Sequence, residues 1–190
     1  MTNAKMSGAI DAPPDIVYDL IADPARLQEW DVTYEGGSPL HADREGTPTF
    51  EIDRTLANRG IHLSCRVIAA EVPTLFAFTC TGSAGEIVQE SFTLDPSADG
   101  GTTIVREAVY ELPGQDLGVI ANQTYTQATE ERSIEQAFAR LNRLIGSSAS
   151  TDRPAVPGET DTRSEDTGTI SSEEPYTAHA KDDQPPSRPT

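Results

Sequence analysis

Lysine is almost missing from this chain. Of its 14 basic residues only Lys5 and Lys181 are lysines; the rest are arginines, and they stand against 31 acidic residues for a formal net charge of −17. Such a surplus repels polyanions, so nucleic acid and anionic membrane surfaces are excluded as partners. It fits a halophile-like protein that stays dispersed in high salt through surface carboxylate, and equally an acidic protein of ordinary habitat. Long apolar runs are missing too. None could cross a bilayer, and the N-terminus has no secretory apolar region, so no stable membrane insertion is expected and a cytoplasmic location is the default.

Histidine and cysteine are scarce. His41 falls in a predicted loop, His62 on an outer strand face and His179 in the C-terminal stretch. No two of them converge, so neither a metal site nor a histidine-based triad is supported. Cys65 and Cys80 have no metal-ligand spacing. In a reducing compartment they read as small core residues, with a redox disulfide as the other reading. No cofactor is expected, and nothing sets an oligomeric state.

Large apolar residues run out after Gly146. Residues 147–190 are dominated by Ser, Thr, Pro, Asp and Glu with almost no large apolar residue; Ile170 and Tyr176 are isolated. A segment of that kind cannot bury enough surface to offset its ordering entropy, so it is predicted to be a disordered acidic tail. Its nine acidic and four basic residues account for −5 of the charge and leave −12 on residues 1–146, the expected folded domain.

What is present is patterned. Lys5 to Ile10 reads as a strand. Pro13 and Pro14 suit a helix's first turn, where a missing N–H costs nothing, and Ile16, Val17, Leu20 and Ile21 give that helix an apolar face. Asp23 can cap a second short helix with Pro24 at its first position and Leu27 and Trp30 on one side. Period two then takes over. Phe50, Ile52 and Leu56 alternate with polar residues, as do Ile61, Leu63, Cys65, Val67 and Ala69 after the turn at 57–60. Leu75 to Thr81, Glu86 to Asp95 and Thr102 to Leu112 follow as strands with short connections, which makes an antiparallel meander. A long helix from about Gln115 to Ile145 closes the domain, with Ile134, Ala137, Phe138, Leu141, Leu144 and Ile145 as its stripe and Gly146 as a natural stop.

Four stretches carry a family likeness: "IDAPPDIVYDLIADPARLQEW", "VIAAEVPTLFAFTCTG", "FTLDPSADGGTTIVREAVYELPG" and "AFARLNRLI". Over Met6 to Ile145 the chain resembles the SRPBCC (START-like) superfamily, with its polyketide cyclase/dehydrase and coenzyme-Q-binding branches. The resemblance implies an α+β helix-grip fold: a curved antiparallel sheet of six to seven strands wrapped on a long C-terminal helix, with two short helices after strand 1. It also implies a cavity between sheet and long helix for a hydrophobic ligand, lipid included. Trp30 would cap the junction or line the mouth, unless it is an ordinary core aromatic.

Strand parity locates the candidate lining. Symmetry about 57–60 pairs Leu56 with Ile61, Arg54 with Leu63, Ile52 with Cys65 and Phe50 with Val67. Symmetry about Val72 to Thr74 pairs Cys65 with Cys80, Val67 with Phe78 and Ala69 with Phe76. The inner face then holds Phe50, Ile52, Leu56, Leu63, Val67, Phe76 and Phe78, together with two charges, Arg54 and Glu90. A register of the last hairpin that turns Arg106 inward would neutralise Glu90; the alternative turns Glu107 inward. All these charges could also lie at strand ends in solvent. Running the helix stripe backwards reaches Gln123, Gln127 and Glu130, so a polar half faces either a water- or ligand-filled space or open solvent.

Three function classes follow. In a binding protein, a small hydrophobic or amphipathic molecule sits among Trp30, Phe76 and Phe78, oriented by Arg54, Glu90, Arg106, Gln123 and Gln127. In a cyclase- or dehydratase-type enzyme, Glu90 carries a proton. In an interaction module, the acidic surface or tail docks a protein; the cavity-type residues count against that.

Overall fold

A computed structural model of the chain describes residues 2–56, 59–113 and 119–151, apart from the side chains of 2, 119–126 and 149–151. Strand β1 (Thr2–Ile10) pairs antiparallel with the last strand and leads into helix α1 (Pro14–Ile21). Pro13 is extended and Pro14 takes the first helical turn, so neither ring removes a needed N–H. The helix buries Val17, Tyr18, Leu20 and Ile21. Ile16, expected on that face, is 44% exposed; Tyr18 takes its place against Phe76, ring edge to face at 6.4 Å. Asp23 then accepts from the Ala25 N–H at 3.1 Å and caps a 3₁₀ turn (Pro24–Arg26) that runs into the single-turn helix α2 (Leu27–Trp30).

Beyond α2 two short strands fill a stretch that has no period-two pattern: β2 (Tyr34–Gly37) and β3 (His41–Ala42), both on β4. His41 is therefore in a strand and not in a loop. Gly37 permits this course, since a Cβ there would stand 2.1 Å from the Pro24 carbonyl oxygen. The meander follows as β4 (Pro48–Leu56), β5 (Arg59–Glu71), β6 (Leu75–Gly82), β7 (Ile87–Pro96) and β8 (Thr102–Glu111). The sheet order is β1-β8-β7-β6-β5-β4-β2, with β3 also on β4. This is the curved antiparallel sheet of a helix-grip α+β fold.

Two predicted registers shift. Leu56 stands opposite Arg59 and Arg54 opposite Ile61, two residues from the pairing expected, because the strands resume with only residues 57 and 58 between them. A two-residue slip preserves parity, so each side chain keeps its face. In the next hairpin Cys65 pairs with Cys80 and Val67 with Phe78 as expected. An irregularity between Val67 and Ala69 then moves Phe76 opposite Ala70 instead of Ala69.

Helix α3 spans Val119–Thr151. It passes through Gly146 and so does not stop there: that glycine does not take the left-handed conformation by which glycine ends a helix. Ile134, Ala137, Phe138 and Leu141 bury its inner stripe. Phe138 packs on β1 at Gly8, where a Cβ would come within 2.5 Å of its ring. Asn142 fastens the same end: its side chain donates to the Ala9 carbonyl at 2.9 Å and accepts from the Asp11 N–H at 2.8 Å. The predicted start at Gln115 and the predicted tail beyond residue 151 lie outside the described residues. Among those described, no helix is long and apolar enough to cross a membrane.

Candidate functional site

The concave side of the sheet holds charge where a core would hold aliphatics. Asp31, Arg54, Glu90, Arg106 and Glu130 are each no more than 4% exposed. Parity explains the sheet members. Arg54 shares the inner face of β4 with Ile52 and Leu56, Glu90 that of β7 with Val88, Phe92 and Leu94, and Arg106 that of β8 with Ile104, Ala108 and Tyr110. Arg106, not Glu107, points inward.

Glu90 is the hub. Its Oε1 accepts from the Tyr34 hydroxyl at 3.0 Å and from Arg54 Nη1. Its Oε2 accepts from Arg106 Nε at 3.0 Å and Nη2 at 2.8 Å. Arg106 Nη1 turns to Asp31 Oδ2. The other Asp31 oxygen accepts from the Thr33 N–H at 2.9 Å and hydroxyl at 2.8 Å, a local turn that fixes the carboxylate just after Trp30. Arg54 Nη2 has longer contacts: Thr33 Oγ1 at 3.4 Å, Tyr110 OH at 3.5 Å and Glu130 Oε2 at 3.5 Å. The Tyr110 hydroxyl donates to Glu130 Oε2 at 3.2 Å. The guanidiniums also lie over rings, Arg54 4.9 Å from the Tyr34 centroid and Arg106 5.3 Å from that of Phe92.

Burial acts on every group and is resolved differently. It favours the neutral form of Asp31, but Arg106, then Arg54 and the Thr33 N–H, outweigh it and hold that carboxyl below its ordinary range. For Glu130 burial prevails over Arg54, and the charge of Glu90 adds to it, so that carboxyl is raised. Burial, with Glu90 adding to it, likewise pushes the Tyr34 and Tyr110 hydroxyls up. The two guanidiniums keep their protons despite burial, since the carboxylates and tyrosines around them favour the charged form.

An aromatic wall adjoins the ion cluster. Trp30 is fully buried and meets Phe92 edge to face at 6.1 Å. Phe78 lies 6.4 Å from Phe92, 5.2 Å from Phe50 and 5.8 Å from Phe76. Trp30 is thus packed as a core aromatic, although its Nε1 is buried with no hydrogen-bond partner.

Of the residues singled out from sequence, Arg54, Glu90 and Arg106 come together in one cluster, with Trp30, Phe76 and Phe78 in the adjoining wall. Gln127 does not join them. It is exposed, and its amide donates to Glu131, one turn along, at 3.0 Å. Gln127 shares the helix face of Ile134, two turns on, but the buried part of that face begins at Glu130. The Gln123 side chain lies outside the described residues. Sequence reasoning missed Asp31, Tyr34 and Tyr110. The parity that turned Arg106 inward also places Tyr110 inward; Asp31 and Tyr34 sit in a segment with no periodic signal.

Cys65 and Cys80, expected as reduced core residues, are joined in a disulfide across β5 and β6. Among the described residues no cluster of His, Cys, Asp or Glu could hold a metal ion.

Comparison with known proteins agrees with this fold. A protein from Thermus thermophilus is 16% identical, with a TM-score of 0.62 over 77% of this chain and 99% of that one. A START superfamily protein from Mycobacterium smegmatis is 13% identical, with a TM-score of 0.61 over 76% of this chain and 99% of that one. The di-domain ARO/CYC BexL of the BE-7585A biosynthetic pathway is 20% identical, with a TM-score of 0.58 over 77% of this chain and 47% of that one. At these identities the likeness is one of fold. No curated protein matches the sequence. The family model described as polyketide cyclase / dehydrase and lipid transport matches residues 1–146, and by that match the chain belongs to this family.

Proposed function

We propose that the domain binds a small hydrophobic or amphipathic molecule between the sheet and α3, as a carrier or sensor. Family and fold fit a START/polyketide cyclase-type ligand-binding domain. The observation that carries the reading is the contact between the two halves of the site: Arg106 lies over Phe92, which meets both Trp30 and Phe78. An apolar wall supplies affinity and an adjoining polar group supplies orientation, the usual division of labour in such pockets. Trp30, Phe76 and Phe78 take the first role, and Arg54, Glu90 and Arg106 the second.

The geometry of Glu90 favours this over a cyclase or dehydratase in which Glu90 moves a proton. Each of its oxygens already accepts from two donors, which fills the lone-pair directions of a carboxylate. Such a group orients guanidiniums; a proton carrier needs an oxygen open to substrate.

Native mass spectrometry of the full chain, purified from its own host, tests the reading. The expected spectrum shows a bound species of defined mass that disappears in Arg54→Ala. An empty protein that turns over a supplied polyketide replaces the carrier by an enzyme.

A further inference from the structure

We infer that the site selects an electrically neutral ligand head with a hydrogen-bond acceptor, because its buried charges already balance and Arg54 keeps an unfilled donor. The inference rests on the ligand-binding reading and makes it narrower.

Charge balance is the first argument. Two guanidiniums, Arg54 and Arg106, are buried in contact with two carboxylates, Asp31 and Glu90, which carry the bonds to Arg106 and to Arg54 Nη1. Those four charges cancel. Glu130 is a third carboxyl, brought in by α3 and 4% exposed. The groups that face it are Arg54 from β4, Glu90 from β7, and Tyr110 and Arg106 from β8. Ionised, it would leave an uncompensated buried negative charge, and that is costly. Burial and the neighbouring Glu90 charge both favour its protonated form. A cluster neutral as it stands gains nothing from a ligand carboxylate, which would add the very charge that Glu130 gives up.

The unfilled donor is the second argument. Arg106 has its Nε, Nη1 and Nη2 all on close acceptors. Arg54 does not. Its Nε is buried with no partner, and every contact of its Nη2 is at 3.4 Å or more. A buried N–H without an acceptor is a standing cost that a carbonyl, ether or hydroxyl oxygen removes. Such an oxygen satisfies Arg54 without changing the charge.

The experiment compares 1-decanol with decanoate by calorimetric titration of the full chain at pH 7, where the alcohol is neutral and the acid ionised. We expect decanol to bind tighter by about tenfold or more. Glu130→Gln, a neutral isostere, is expected to keep that preference. Equal binding, tighter decanoate, or a gain of decanoate affinity in Glu130→Gln overturns the inference. The Glu130 carboxyl, assigned by its loss in Glu130→Gln, is titrated in parallel by carbon NMR with no ligand present. A midpoint above the ordinary glutamate range supports the neutral cluster; one within or below it overturns it. If neither probe binds while the midpoint is raised, the ligand site itself fails and the ligand class falls with it. If binding occurs with an ordinary midpoint, the ligand site stands and the charge argument fails.

Discussion

Arg106 and Glu90 meet on a diagonal. Arg106 stands opposite Phe92 and Glu90 opposite Ala108, yet Arg106 Nε and Nη2 reach Glu90 Oε2 at 3.0 and 2.8 Å. The small side chain of Ala108 leaves the inner face open along that diagonal. The other Glu90 oxygen takes Arg54 from β4, which the sheet order places three strands away from β7. One carboxylate therefore spans the concave side of the sheet.

Removing that charge should unfold the domain readily. Glu90→Gln leaves Arg54 and Arg106 buried without their shared counter-ion, and breaking a buried pair from one side costs about 3–5 kcal/mol. Urea unfolding of the variant is expected to show a loss of that size. A loss below about 1 kcal/mol would mean that Asp31 and Glu130 can take over both guanidiniums.

Glu130 makes stability depend on pH. Its carboxyl is raised in the fold, chiefly by burial and then by Glu90 against the pull of Arg54. A raised carboxyl binds its proton more tightly folded than unfolded. Its contribution is complete below the ordinary glutamate range and is lost as pH climbs through the folded value. Glu130→Gln does not titrate. Stability curves of the two proteins should converge at acid pH and separate towards neutrality, with Glu130→Gln the more stable. The reverse ordering near neutrality would show that the ionised form of Glu130 is held by Arg54.

Most of this architecture was legible because parity survives small errors. The pairing of β4 with β5 differs by two residues from the one expected, yet Phe50, Ile52, Arg54 and Leu63 keep their faces. The inward charges at 54, 90 and 106 follow from the same rule. Period two says nothing where strands are two to four residues long, so β2 and β3, and with them Tyr34, were invisible. Asp31 depends on a turn made by its own side chain with Thr33, which no periodicity encodes. Gln127 failed for a different reason: it stands two turns before Ile134 on the same face of α3, yet it is exposed while Glu130 and Ile134 are buried. Among the described residues the cover over that face begins only at Glu130, and periodicity does not say how far along a helix its neighbours reach.

Two adjacent glycines separate a steric requirement from a permissive one. A Cβ on Gly37 would lie 2.1 Å from the Pro24 carbonyl oxygen, a backbone atom that cannot move aside, whereas on Gly36 the nearest atoms are at 3.9 Å. Gly37→Ala is expected to cost about 1–3 kcal/mol through overpacking. Gly36→Ala should stay within about 0.5 kcal/mol. Because Gly37 sets where β2 runs beneath the turn that leads to Trp30 and Asp31, only the first variant should also weaken ligand binding. Equal effects in both would remove the close approach as the cause.

On the outer face, His62 gives a local electrostatic test. Its Nδ1 lies 2.7 Å from Asp53 Oδ1, and that hydrogen bond, with the charges of Asp53 and Glu51, raises the imidazole above its ordinary value. Proton NMR should place the midpoint above about 6.5, and Asp53→Asn should bring it back towards that value. An unchanged midpoint in the variant would assign the effect to Glu51 and the general acidity of the chain. Both side chains are more than half exposed, so little change in stability is expected.

The disulfide sets composition against geometry. In a reducing compartment the two cysteines would be small core residues, whereas β5 and β6 bring Cys65 and Cys80 directly opposite each other and join them. The two sulfurs close a loop with a sequence separation of 15, and a cross-link over a loop of that length stabilises by about 3 kcal/mol through the unfolded chain. Thiol counting in denaturant without reductant is expected to find none, and reductant should lower Tm. Native protein should resist alkylation, because both residues are at most 3% exposed. Two titratable thiols in denaturant, with no effect of reductant on Tm, would return the pair to the role of small core residues, with Cys65 opposite Phe50 on the neighbouring strand.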